Sequence, residues 1–328
     1  MKNRLAHLIE LVQKIPEDCL DKAIDLIEGI VDDSDEDKPS PPCPHCKSDK
    51  VRRFGSANKR QRYRCNQCSK TYMQTTNTAM HGSHCGEAAW KQVIKDTVDG
   101  VSIKATAKNL MLSTDTVFNM RHKIMLALEA EEARNPTVLS VVCELDDTFV
   151  LESYKGTKLP KGFWRKPRKH GAVAQKPGIS NEYVCISTGV SRGSGTLAKT
   201  VTRATPSKDD INTVFEGHIE PETLIMCDGA KGYNDLGERN NCDVIVVKEK
   251  KGFTHTNTAS SFHCFIKDRY TQYKGVATKY LNRYNALFSK LFRNSDNAVN
   301  EIYDLLRKSD GQHHHSVSDV RGLNLLEI

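Results

Sequence analysis

Two stretches decide how this chain folds: VLSVVCELDDTFVLESY at 138–154 and ETLIMCDG at 222–229. The first runs apolar into Cys143, carries the pair Asp146-Asp147, and continues through β-branched and aromatic residues. That pattern predicts a central strand bearing acidic groups. The second is a short apolar strand ending in Cys227-Asp228-Gly229. An aspartate at the C-terminal end of a buried strand, followed by glycine, puts a carboxylate at the sheet edge where ligands bind. Between them lie strand-like segments at Glu182–Val190 and Thr196–Thr202 and a helix from about Ser207 to Phe215. Asn241–Val247 supplies a further strand, and a long helical stretch begins near Thr256.

Working outward, a β-rich first half followed by alternating strand and helix is the order of an RNase H-like α/β core, expected over 138–293. Such a core uses two hard divalent ions about 4 Å apart for in-line attack on a phosphodiester. Mg²⁺ takes oxygen ligands, so carboxylates from separate strands are needed. Asp146 and Asp228 are the candidate ligands for Mg²⁺ or Mn²⁺.

Upstream, 86–130 has helical periodicity: EAAWKQVIKDTV, then SIKATAKNL opened by Ser102, then a third helix capped by Ser113. Three helices with a tight turn at Met111-Leu112 read as a helix-turn-helix, whose last helix enters the major groove. Thr114, Asp115, Thr116, Asn119 and Arg121 are the residues expected to be exposed there. Before it, CPHC at 43–46 and CNQC at 65–68 are separated by eighteen residues. Two CxxC knuckles at that separation supply four thiolates, Cys43, Cys46, Cys65 and Cys68, for one tetrahedral Zn²⁺. All four positions are thiolates, which makes this a structural zinc and 43–73 a zinc ribbon. Apolar spacing predicts a helical hairpin over 1–30. The acidic, proline-rich 31–42 reads as a linker and 294–328 as a C-terminal helical tail. The whole is a multi-domain α+β chain.

The net charge of +7 hides an asymmetry. Residues 1–38 carry 5 Lys or Arg against 11 Asp or Glu, which leaves the remainder near +13. The excess clusters in the ribbon and in 155–176, which has eight basic residues and no acidic one. Clustered cations are the footprint of a polyanion, double-stranded DNA being the expected partner. Arg52, Arg62 and Arg64 in the ribbon and Lys166, Arg168 and Lys169 in the loop are the phosphate-contact candidates, with Trp164 able to stack on a base. No stretch is long and apolar enough for a membrane span. Eleven cysteines without a secretion signal fit a reduced compartment, so the expectation is a cytoplasmic, nucleoid-associated protein.

The order of zinc ribbon, helix-turn-helix, ELDDTFV, RKPRKHG, LIMCDGAKGY and HTNTASSFHCFIKDRYTQYKGVATKYLNRY resembles zinc-ribbon insertion-sequence transposases of the DDE superfamily, ISXO-type, from about residue 40 to 292. The resemblance implies that Asp146 and Asp228 are the first and second catalytic acids and that the protein works as a homo-oligomer on paired ends, while Lys267, a cation on the following helix, is assigned to a DNA phosphate. The family has Glu or Asn seven residues before that lysine, and here the position is Ser260. Asn257 and His263 lie three residues to either side, within about one turn of the same face. Either can complete the site, His263 being slightly favoured. The implied function is binding of element ends, metal-dependent cleavage and strand transfer. A transposase-derived DNA-binding regulator, its core kept as scaffold, is the alternative that Ser260 raises.

Overall fold

The computed structural model describes residues 40–57, 60–159, 161–163, 165–166, 168, 173–193, 195–229, 232–248, 252–294, 296–311 and 314–322. The hairpin expected over 1–30, most of the linker over 31–42, and Trp164 and Lys169 lie outside the described residues.

The ribbon is a three-stranded antiparallel sheet, β1 (Val51–Ala57), β2 (Arg60–Cys65) and β3 (Thr71–Met73), in that order. Its two knuckles are built alike. The amides of Lys47 and Ser69 donate to the carbonyls of Cys43 and Cys65, and both residues sit in the left-handed region at φ 61°. Tyr63 stacks on Tyr72 with ring centroids 5.6 Å apart, closing a small core beside the buried Cys43 and Cys65.

Three helices follow: α1 (Glu87–Val98), α2 (Ile103–Asn109) and α3 (Thr114–Arg134). Ser102 and Ser113 cap the second and third, accepting from the amides of Ala105 and Thr116. Met111, at φ 52°, makes the turn between them. Val117, Met120, Ile124 and Leu128, which helical spacing puts on one apolar stripe, are buried, but Arg121, His122, Lys123, Met125 and Ala127 are buried too. A helix apolar or covered all round is a core helix rather than a surface one. α3 runs through a core shared with the domain that follows.

That domain holds a five-stranded sheet of β4 (Val142–Leu151), β5 (Tyr183–Ser191), β6 (Thr196–Arg203), β7 (Leu224–Cys227) and β8 (Asp243–Val246), ordered β6-β5-β4-β7-β8. The β4–β5 and β5–β6 pairs are antiparallel, β4–β7 and β7–β8 parallel. Helices α4 (Lys208–Phe215) and α5 (Gly232–Asn240) cover one face, where Cys143, Leu145, Leu197, Phe215 and Ile225 form a core. Gly189, opposite Leu145, has no room for a side chain there, because a Cβ would sit 2.4 Å from Leu139 Cδ1. The other face carries α6 (Asn257–Gln272), a short 3₁₀ turn (Thr278–Tyr280) and α7 (Leu281–Leu291). These pack with α1, α3 and α8 (Ala298–Arg307) and with Ile186, Val190 and Ala198 of the sheet into one apolar core. A last turn, α9 (Val317–Arg321), leans on α3 with Val320 fully buried. Among the described residues no helix is long and apolar enough to cross a membrane.

Candidate active site

Side chains alternate between the two faces of a strand, so β4 sorts its acidic residues. Leu145 and Asp147 face α4 and α5, where Asp147 accepts from Ser187 Oγ at 2.6 Å and Tyr233 Oη at 3.1 Å. Burial, opposed by those two hydroxyls, pushes its carboxyl above the usual range. Glu144 and Asp146 face α6.

Glu144 is fully buried and fixes that helix. It accepts from the amides of Thr258 at 2.7 Å and Ala259 at 3.0 Å, from Thr258 Oγ1 at 3.0 Å and from Arg192 Nε at 2.9 Å. It thus supplies the anion that the open amides of a helix N-terminus attract. From Ala259 to His263 the helix rises about 6 Å, and from Glu144 to Asp146 the strand rises about 7 Å. The two elements therefore run in step, and His263 arrives opposite Asp146, with Nδ1 3.7 Å from Asp146 Oδ2.

The hydrogen bonds around His263 assign its tautomer. Thr188, the register partner of Asp146, donates its hydroxyl proton to the Asp146 carbonyl at 2.8 Å. It has no second proton, so the 2.7 Å contact with His263 Nε2 requires the ring N–H to donate to Thr188 Oγ1. Nδ1, the other ring nitrogen, is the one that lies 3.7 Å from Asp146 Oδ2. Burial, with the Lys267 charge one turn away, lowers the imidazole to about 4, so the ring is neutral near pH 7.

Asp228 follows the parallel neighbour. Met226 pairs with Glu144 and Cys227 with Leu145, so Asp228 continues the register beside Asp146 on the same face, where the chain leaves the strand. Gly229 makes the exit at φ 95°, with Val246 filling the space a side chain would take. Asp228 is exposed, at the rim of the site. The ligand atoms of Asp146, Asp228 and His263 do not all fall within 4.8 Å of one another. Among the described residues, Cys43, Cys46, Cys65 and Cys68 form the group that does.

Those four sulfurs include contacts of 3.6 Å (Cys43–Cys68) and 3.5 Å (Cys46–Cys65). The amides of Cys68 and Gln67 point at Cys65 Sγ and hold its thiol down at about 6. A sulfur preset toward thiolate suits a thiophilic cation. A cavity of about 580 Å³ between α3, α7 and α8 carries none of the residues above.

The remaining sequence candidates divide. Asn257, exposed in the first turn of α6, stands at the Glu144 end of the helix rather than opposite Asp146. Ser260 turns its hydroxyl back to the Thr256 carbonyl. Lys267 is exposed one turn past His263. Arg52 is exposed on the ribbon, while Arg62 and Arg64 are half-buried, each 5.4 Å from the Phe54 ring centre. Thr116 is half-buried, and Asn119 accepts from Arg321, which also pairs with Asp115 at 2.9 Å. Arg121 corrects the expectation of exposure. It is buried, donates to Thr97 Oγ1 and the Val101 carbonyl, and lies over the Tyr273 ring, so it ties α3 to α1 and α6. Arg168 is likewise occupied, pairing with Glu182 and donating to the Glu152 carbonyl. Arg165 and Arg203 pair with the buried Glu152, so part of the basic loop's charge balances buried acids. Lys166 remains exposed.

Sequence reasoning missed Glu144, Thr188 and Arg192. The signal for Glu144 was available, since period-two alternation from Asp146 puts it on the same face. The other two needed the register of β5.

A protein of transposable element ISH50 from Halobacterium salinarum, itself described as uncharacterized, is 22% identical over 253 residues, 75% of this chain and 83% of its own length. Among solved structures, the Mos1 mariner paired-end complex with Mn shares 13% identity over 71% of this chain and 79% of its own, at a TM-score of 0.28. The corresponding complex with Mg shares 10% over 68% and 78%, at 0.29. Residues 139–293, which hold Asp146, Asp228 and His263, match the ISXO2-like transposase domain, the family that the motif order resembles.

Proposed function

We propose that this protein cuts and rejoins DNA as an insertion-sequence transposase, with Asp146, Asp228 and His263 holding the divalent ion or ions. The observation that supports this reading most is the meeting of His263 with Asp146, Nδ1 3.7 Å from Oδ2, on the face where the register also brings Asp228. The donor set suits it, because a neutral imidazole and carboxylates bind Mn²⁺ or Mg²⁺. When bound, such an ion lowers the pKa of its water and polarises a phosphodiester. The chain's own residues do the rest. Thr188 fixes the imidazole tautomer, Glu144 holds α6 in step with β4, and Lys267 offers a cation to the phosphate beyond His263. Asp228, at the rim on the same face, would supply the second carboxylate to such an ion. The sheet order supports an RNase H-like core.

In the same reading, Zn²⁺ fills the four-cysteine cluster and holds the ribbon. Arg52, Arg62 and Arg64, with Lys166 and Lys169, neutralise DNA phosphates. Helices α1 to α3 act as a helix-turn-helix, with Thr114 and Thr116 at the end nearest the groove and Asn119 reached once Arg321 yields. The protein works as an oligomer on paired element ends. One observation favours the regulator alternative: Ser260, bonded to its own helix, leaves the family's third acid without a replacement at that position.

Nicking in Mn²⁺ of supercoiled DNA carrying the sequences that flank the gene separates the two. The transposase reading expects cleavage at the element ends, lowered on the order of 1000-fold in Asp146→Asn and Asp228→Ala. Binding without cleavage in wild type would give the regulator.

A further inference from the structure

Phe253 lies outside the proposed metal site. Of the large hydrophobic side chains exposed among the described residues, it is the one aromatic, 59% exposed. It stands in the segment between β8 and α6, after the cationic sequence KEKKG at 248–252. One face of its ring lies on Arg192, whose guanidinium carbon is 4.4 Å from the ring centre. That arginine is immobilised. It donates to Glu144 at 2.9 Å, to the His255 carbonyl at 3.1 Å and to Met226 Sδ at 3.1 Å, and it touches His255 Nδ1 at 3.2 Å. An exposed aromatic on a fixed cation is a rigid platform with one open π-face.

Its position gives it meaning. Arg192 bridges Glu144 and Met226, which are partners across β4 and β7. Two residues further along the same face, about 7 Å away, come Asp146 and Asp228. The open ring therefore stands on the order of 10 Å from the proposed metal carboxylates, within one or two nucleotides of a phosphate held there. Aromatic rings on cationic surfaces bind nucleobases by stacking, without regard to sequence. Unpairing and unstacking one base costs free energy, and a ring that stacks on the freed base offsets that cost and fixes the adjoining backbone beside the carboxylates.

We infer that Phe253 is a positioning residue that stacks on an unpaired base next to the cleaved bond, with Arg192 as its buttress. This rests on the DNA-cleavage reading above. It commits to a nucleobase as the occupant, and an apolar protein contact is an outcome of the test.

Nicking rates in Mn²⁺ are compared for wild type, Phe253→Ala, Phe253→Leu and Phe253→Trp on a fully paired duplex and on one mismatched around the cleaved bond. Stacking predicts that Ala and Leu lose about 10-fold on the paired duplex and Trp stays within about 2-fold. Mismatching should bring Ala back to within about 3-fold of wild type, because the base is already unpaired. A Leu variant equal to wild type, which would point to a protein contact, overturns the inference. So does an Ala defect that mismatching leaves unchanged, or no defect at all. A second readout needs no cleavage. Wild type should quench or shift the fluorescence of an oligothymidylate strand with a central 2-aminopurine, and Phe253→Ala should do so at least about 2-fold less. Equal signals overturn the inference. If wild type fails to nick, or Asp228→Ala nicks equally well, the catalytic reading falls while the fluorescence still decides the stacking.

Discussion

The ribbon and the carboxylate sheet both gather ligand atoms, and they do so in opposite ways. In the ribbon each knuckle is a short local turn, and the same backbone hydrogen bond closes both: Lys47 to Cys43, Ser69 to Cys65. Four sulfurs meet because two such turns close one short sheet. In the sheet no two of the proposed ligands are neighbours in sequence. Asp146 meets His263 only because Glu144 anchors a helix that begins more than a hundred residues later. A site made of local turns stands or falls with its metal, whereas a site made by packing stands or falls with its core.

Removing zinc tests the first half of that contrast and should have the largest effect. Structural zinc in small ribbons is worth about 10 kcal/mol of folding at neutral pH. Chelation should expose all four thiols to a thiol reagent and melt 43–73, leaving the helical signal of the core. Loss of the whole fold with the zinc would erase the distinction drawn here.

Glu144→Ala probes the other half. It leaves Arg192 and the α6 amides without their buried anion, at a cost of about 3–5 kcal/mol. Its melting temperature should fall sharply while zinc content is unchanged. A Glu144→Ala protein as stable as wild type, with undiminished nicking, would break the argument that this residue sets the helix in step with the strand.

His122 sharpens the comparison for the helical layer between them. It is buried against Phe118, Tyr280 and Arg283, linking α3 to α7, and burial with the Arg283 charge pushes it down to about 2 from its ordinary 6.5. A folded-state value below the unfolded one gives stability that is present above pH 6.5 and is lost as pH falls toward 2. Unfolding free energy should drop by up to about 1.4 kcal/mol per pH unit below 6.5, with a shallower slope in His122→Gln. An identical slope in that variant would remove the histidine from the account.

The smallest effect separates surface from core cations. Lys166→Ala should reduce the salt dependence of DNA binding by about one unit of slope and leave the melting temperature alone. Arg121→Ala should do the reverse, and a changed slope there would restore the DNA contact that its burial argues against.

Much of this was legible in the sequence. The strand beginning at Thr196, the helix from Ser207 to Phe215, the Ser102 and Ser113 caps and the cysteine knuckles all follow from short-range spacing, where period and turn chemistry act directly, while β4 and β8 begin later than the apolar runs suggested. Less legible was what depends on register. Arg121 looked exposed because its helix was read as a surface element with one apolar stripe, whereas neighbouring helices cover it on every side. Arg168 looked available because Glu152 and Glu182, the acids that engage its loop, lie just after β4 and just before β5, where only the pairing of those strands brings them together. His263 and Asn257 could not be separated by spacing alone, since both sit within a turn of Ser260. Only the anchoring of α6 at Glu144 puts one of them opposite Asp146.

The most direct test is to ask whether a metal sits against His263. With zinc already in the ribbon, Mn²⁺ is titrated into wild type, Asp146→Asn, Asp228→Asn and His263→Ala, and the bound ion is read by pulsed electron paramagnetic resonance for coupling to an imidazole nitrogen. The account predicts a nitrogen-coupled Mn²⁺ in wild type, loss of that coupling in His263→Ala, and weaker binding in both aspartate variants. A bound Mn²⁺ whose spectrum and affinity are the same in all four proteins would contradict it.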